Sequence, residues 1–236
     1  MNTTAHPDGQ NIVTFDFAEQ SVRDLNAALH DHGAATDHYV VTNPLGLHSI
    51  AVGIDRDIRV DVDGHVGYYF AGMNKSAQLT VSGNAGQGLA ENIMSGRVHV
   101  KGDASQSAAA TGRGGLVVID GNASARCGIS MKGVDIVVGG NVGHMSAFMA
   151  QAGRMVICGD AGDSLGDSIY EARLYVKGTV ASLGTDCIEK EMTEEHRAEL
   201  AELLAAAGRA ESPDEFRRYG SARQLYHFTA DNSKSY

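Results

Sequence analysis

The stretch Leu-Thr-Val-Ser-Gly-Asn-Ala-Gly-Gln-Gly, residues 79–88, decides the fold, because its frame recurs at a fixed interval. The frame is apolar, any, apolar, any, Gly. It occurs seven times with a period of 19 residues. Its glycines are Gly64, Gly83, Gly102, Gly121, Gly140, Gly159 and Gly178. Four residues before them stand Val60, Leu79, Val98, Val117, Ile136, Met155 and Leu174; two before stand Val62, Val81, Val100, Ile119, Val138, Ile157 and Val176. One residue after stand His65, Asn84, Asp103, Asn122, Asn141, Asp160 and Thr179. A register held over this length marks a solenoid, in which one coil cannot bury its apolar face alone and must stack on its neighbours.

Alternating apolar positions predict a strand with one buried face. The glycine that follows predicts a corner at positive φ. The Asn or Asp after it predicts left-handed geometry or a bond to its own turn. No 3.6-residue period runs through these segments, which excludes repeats of helix pairs. The expected fold is all-β: a single-stranded, right-handed parallel β-helix of about seven coils. Stacked residues would then lie about 4.8 Å apart along a rod roughly 30 Å long. The left-handed hexapeptide form is disfavoured, since Gln87 and Asn141 fall where it needs apolar residues and 19 is not a multiple of six.

The composition agrees. The chain has 236 residues, enough for one sizeable core, with 29 Gly, 3 Pro and no Trp. That balance suits many tight corners around a narrow aliphatic interior. A net charge of −10 argues against nucleic acid and against an anionic membrane surface. No apolar run is long enough to span a bilayer, and residues 1–10 lack a signal-peptide core, so a soluble cytoplasmic protein is expected. Cys127, Cys158 and Cys187 are odd in number and lack zinc spacing, which suggests neither a metal site nor a disulfide framework.

Three segments are expected: a cap over 1–47, the β-helix over 48–188 and a helical tail over 189–236. In the cap, residues 1–10 read as a loose tail and 12–17 alternate as a strand. Ser21 and Asp24 form a capping-box pattern before a helical stripe of Val22, Leu25, Ala28 and Leu29, with Gly33 as its stop. Residues 39–41 read as a second strand, and 50–54 alternate again into the first coil. In the tail, Thr193 starts a helix with Glu194 and Glu195 in its first turn, Leu200, Leu203 and Leu204 on its apolar side and Gly208 as its stop. Ser212 and Pro213 open a shorter helix. Residues 219–236 show no period and are expected to be disordered or packed on a partner subunit.

Motifs with catalytic potential fall into the solenoid register. The glycine clusters at 83–88, 112–115 and 139–143 match neither a dinucleotide fingerprint nor a P-loop, and read as corners. Gly162-Asp163-Ser164-Leu165 spells a serine-esterase motif, but the histidines after it, His196 and His227, stand in the tail without a supporting pattern. Stacking at 19 residues places His144 beside Asp163, the best acid–base candidate on the rod. The corner carboxylates Asp103 and Asp160 are separated by Asn122 and Asn141, which suggests a turn ladder rather than a catalytic cluster. The outward column, three before each glycine, reads Asp61, Thr80, His99, Val118, Val137, Val156, Tyr175. Its last four members make an apolar stripe, expected to dock on another polypeptide or on a terminal segment of this chain.

The repeats at 79–88, 136–143 (Ile-Val-Val-Gly-Gly-Asn-Val-Gly) and 155–162 (Met-Val-Ile-Cys-Gly-Asp-Ala-Gly) resemble the GXGXG domain. That domain forms the C-terminal right-handed β-helix of the glutamate synthase large subunit and a subunit of formylmethanofuran dehydrogenase. The likeness covers about residues 48–188, although Ser105, Ser124 and Ala181 occupy the second glycine column. With the segment at 15–29, the chain is similar to stand-alone subunits of glutamate-synthase-like complexes, as in the N-methylglutamate synthases. The resemblance implies a hetero-oligomer with a glutamine-amidotransferase-like subunit and a synthase-like subunit carrying FMN and an iron–sulfur cluster. It implies the reaction of methylamine with glutamate to give N-methylglutamate and ammonia. It assigns no catalytic, cofactor or metal residue to this chain, whose role would be that of a scaffold. A formylmethanofuran-dehydrogenase-like subunit and an independent carbohydrate-active enzyme are the alternatives.

Overall fold

The computed structural model describes residues 2–5 and 11–223. Its strands are β1 (Asn2–Ala5), β2 (Asn11–Asp16), β3 (His38–Thr42), β4 (Arg59–Val62), β5 (Gln78–Val81), β6 (Arg97–Val100), β7 (Leu116–Ile119), β8 (Lys132–Val138), β9 (Ala152–Ile157), β10 (Arg173–Val176), β11 (Cys187–Lys190) and β12 (Arg217–Ser221). Two helices, α1 (Val22–Leu29) and α2 (Glu194–Ala206), and a 3-10 turn (Pro213–Glu215) flank the coils. All twelve strands form one sheet in the order β1 to β10, then β12, then β11. From β2 to β10 the pairing is parallel, and Val60, Leu79, Val98, Val117, Ile136, Met155 and Leu174 stand in register. The protein is thus a parallel β-solenoid of about seven turns, as the period predicts.

A second ladder of single bridges, two residues past the corner glycines, joins Val66, Ala85, Ala104, Ala123, Val142, Ala161 and Val180. The inward columns of β4 to β10 are all buried. The third side of each coil is built from alternating left-handed residues. In the coil after β4, Tyr69, Ala71 and Met73 have φ of 60°, 58° and 57°, and the same triplet recurs 19 residues on, through Ser164, Gly166 and Ser168. Alternation turns successive N–H groups to opposite sides. The Tyr69 N–H donates to Gln87 O of the next coil at 2.9 Å, the Ala71 N–H to Ile50 O of the previous coil at 3.1 Å, and the Met73 N–H to Glu91 O of the next at 2.8 Å. Every coil is thereby bonded to both neighbours, which satisfies backbone that would otherwise be buried unpaired.

The corner glycines act differently from the expectation. Among the seven, only Gly64 has positive φ, at 130°. The other six are glycine because the coils nearly touch there. A Cβ on Gly102 would sit 2.8 Å from Gly83 O and closer still to Asn84 Oδ1. That oxygen is in place because it bonds the next coil rather than its own turn. The Asp103 N–H donates to Asn84 Oδ1 at 3.0 Å, the Asn122 N–H to Asp103 Oδ1 at 2.7 Å, the Asn141 N–H to Asn122 Oδ1 at 2.9 Å and the Asp160 N–H to Asn141 Oδ1 at 2.7 Å. The ladder ends with the Thr179 N–H on Asp160 Oδ1 at 2.7 Å, a bond that holds the Asp160 carboxyl below its usual pKa.

The ends depart further from the sequence reading. Asn2–Ala5 is not loose but pairs antiparallel with β2. Helix α1 has the expected Ser21–Asp24 capping box, but it stops at Leu29 with His30 as its cap, before Gly33. Leu25 and Leu29 are buried, and Asn26 bonds Ser49 O and the Ala51 N–H of the incoming chain. Residues 50–54 are not a strand, since Ser49, Ala51 and Gly53 carry left-handed φ and already belong to the turn ladder. At the far end, β12 inserts antiparallel between β10 and β11 and closes the parallel run. Residues 219–221, the start of the segment expected to be irregular, are therefore part of the sheet. Of the rest of that segment, residues 224–236 lie outside the described residues.

Candidate functional site

The outward column changes character at Val118, and the structure shows what lies over it. Asp61, Thr80 and His99 are partly exposed, whereas Val118, Val137, Val156 and Tyr175 are buried under α2. Leu200, Leu203 and Leu204 of the helix, its C-cap Ala207 and Phe216 beyond it complete this second cluster. The stripe assigned above as a partner interface is therefore covered by a terminal segment of the same chain, the other occupant expected for it. Physical lengths agree: thirteen residues of helix extend about 20 Å, and four strands at 4.8 Å spacing present a stripe of about 14 Å.

Polar contacts fix the helix at both ends. Thr193 caps it in a capping box with His196. At its other end Gly208, at φ 72°, allows the Arg209 N–H to reach Leu204 O at 2.8 Å and its own N–H to reach Ala205 O at 3.0 Å. Arg97 of β6 donates to Ala206 O at 2.6 Å, placing a cation at the negative end of the dipole. Midway along α2, Glu199 accepts from Arg173 at 2.5 Å and from the Tyr175 hydroxyl, with Arg154 at 3.8 Å. Arg154 is itself held by Asp135, its Nε donating to Oδ1 at 2.8 Å. Burial, and then Glu199, raise the Tyr175 phenol above its usual value. Glu199, Arg97 and β12 carry no sequence signal of this contact; the switch from His99 to Val118 marks where the covered stripe begins but does not name what covers it.

The acid–base candidates do not meet. His144 and Asp163 are both exposed on adjacent coils. The Asp163 carboxylate accepts from Ser182 Oγ at 3.0 Å, and among the described residues no hydrogen bond or ion pair joins it to His144. Ser164 receives no histidine either; its N–H donates to Ser182 Oγ at 2.9 Å. His196, one of the two downstream histidines, is engaged with Thr193, and His227 lies outside the described residues. The three cysteines are free thiols. Burial pushes Cys127 up to about 12, and Cys158 and Cys187 up to about 11, which removes them from thiolate chemistry near neutrality. Among the described residues, no group of three or more His, Cys, Asp or Glu is placed to hold a metal ion, and no helix is long and apolar enough to cross a membrane.

No family model matches the chain. Protein GlxC of Rhizobium meliloti (strain 1021) is 60% identical to it over 228 residues, which cover 95% of this chain and 100% of that protein. At that identity, over practically the whole of both sequences, the chain belongs to the family of protein GlxC.

Proposed function

We propose that this chain is a non-catalytic scaffold subunit of a glutamate-synthase-like complex, of the kind represented by the N-methylglutamate synthases. The observation that carries the reading is the unbroken 19-residue register with its Gly and Asn/Asp corner ladder, which resembles the GXGXG domain. Supporting it, the best acid–base candidate of the rod, His144 with Asp163, is not assembled as a pair. The chemistry then belongs to two partners: a glutamine-amidotransferase-like subunit, and a synthase-like subunit that carries FMN and an iron–sulfur cluster. The complex would convert methylamine and glutamate to N-methylglutamate and ammonia in the cytoplasm. Because α2 covers the outward stripe, the partners would contact other surfaces of the rod, where exposed Tyr68, Tyr69 and Met73 offer one apolar area.

The test is native mass spectrometry of material purified from the source cell through a tag on this chain. Recovery with an amidotransferase-like chain and a flavin-bearing chain is expected. Recovery with a molybdenum or tungsten subunit would move the assignment to a formylmethanofuran-dehydrogenase-like enzyme. A lone chain that turns over a substrate, with loss of turnover in His144→Ala, would sink the scaffold reading.

A further inference from the structure

A cavity of about 900 Å³ opens at the end of the sheet where β9, β10, β11 and β12 meet, and its charge is unlike that of the rest of the molecule. The chain carries a net charge of −10, yet this cavity is lined by Arg154, Arg173, Lys190, Arg218 and Arg223, against one lining carboxylate, Glu171. Strand register explains four of the five. Arg154 pairs with Arg173 on neighbouring parallel strands. Arg218 stands opposite Tyr175 on one side and opposite Lys190 on the other. Because side chains alternate along a strand, Arg173 shares a face with Tyr175, so Arg154, Arg173, Arg218 and Lys190 all project from the outward face of the sheet.

These cations are not equally engaged. Arg154 is held by Asp135 and Glu199, Arg173 by Glu199 and Arg223 by Asp186. Among the described residues, Lys190 and Arg218 have no carboxylate at ion-pair distance. Arg218 spends its Nε on Glu191 O at 2.8 Å, which leaves the terminal arms of its guanidinium. Like charges directly opposite on paired strands destabilise a sheet, and Lys190 and Arg218 are such a pair. Burial, with the neighbouring Arg173 charge, also lowers the Arg218 pKa from its usual value. Two unmatched cations facing one open cavity are set for an anion from outside the chain, and a planar guanidinium beside a point-charge ammonium suits a multivalent oxyanion. The volume lies within the range of small-ligand sites.

We propose that this cavity is a binding site for a small multivalent oxyanion, a phosphate ester or a polycarboxylate, clamped between Lys190 and Arg218. The site is independent of the scaffold assignment, because it stands on this chain's own side chains. The test is thermal unfolding of the full chain in pyrophosphate and, separately, in citrate, each against sodium chloride of equal ionic strength. Saturating anion is expected to raise Tm by about 2–4 °C. A response to pyrophosphate alone identifies a phosphate ligand, and a response to citrate alone identifies a polycarboxylate. Lys190→Gln removes the like-charge contact, so it is expected to fold as well as the parent and to lose the shift. Lys75→Gln, an exposed cation of the first coil, is expected to keep it. No shift in the parent with either anion, or a shift retained in Lys190→Gln, would overturn the site.

Discussion

Gly102 and Arg126 make opposite demands on the backbone, although a sequence reading would assign the special conformation to the glycine. Gly102 is glycine for space, with Gly83 O and Asn84 Oδ1 where a Cβ would be. Arg126 is an exposed side chain at φ 59°, in the turn ladder, with its N–H bonded to His144 O at 3.0 Å. Left-handed geometry costs a Cβ-bearing residue roughly 1–2 kcal/mol, whereas the extra freedom of an unfolded glycine costs about 0.5–1 kcal/mol. Arg126→Gly is therefore expected to be more stable than Arg126→Ala by about 0.5–1 kcal/mol in urea unfolding. Gly102→Ala is expected to cost about 2–3 kcal/mol through overpacking against backbone that cannot move alone. An Arg126→Ala variant more stable than Arg126→Gly would mean that position 126 is not left-handed in solution.

Helix α2 shows how an element can be legible in parts and still be misplaced. Thr193, the acidic first turn and the Leu200–Leu203–Leu204 face were readable from the sequence, and so was the stripe from Val118 to Tyr175. What the sequence lacked was any period linking the two, since the helix returns over coils laid down up to about eighty residues earlier. Strand β12 was hidden for a related reason. Its hydrogen bonds are long-range and antiparallel, and Arg217 and Arg218 carry none of the apolar alternation of the coils. The repeat itself was readable because each 19-residue unit answers only to its neighbours. His144 and Asp163 shared that vertical stacking, but stacking fixes Cα positions and not whether two exposed side chains turn toward each other. The α2 contact has its own test. Val137→Asp buries an unpaired carboxylate beneath Leu200 and Leu204, at a cost on the order of 3 kcal/mol. Hydrogen exchange should then accelerate across Glu194–Ala206 while the amides of β4 to β6 stay protected. Uniform acceleration across both would mean that the helix and the coils unfold as one unit.

At the scale of the molecule, the solenoid makes length a discrete variable. Each interior coil contributes one strand, one bridge and one left-handed triplet, and within the solenoid each is bonded to the coils on either side. Removal of residues 66–84 takes out one such unit and joins His65 to Ala85. The partners left behind are equivalent to those lost: His65, whose Nδ1 accepts from the Asn84 N–H at 2.9 Å, would accept instead from the Asp103 N–H. Arg97 and the whole stripe beneath α2 are kept, so the C-terminal clasp is undisturbed. Removal of residues 67–84 is only one residue smaller, yet it slips the register by one at the junction and turns apolar side chains outward. The 19-residue deletion is expected to unfold cooperatively in urea, with a slope reduced roughly in proportion to the surface lost. The 18-residue deletion is expected to lose several kcal/mol or to aggregate. Equal stability of the two would mean that the coils are not independent units held in strict register, and that the far ends of the rod constrain its length.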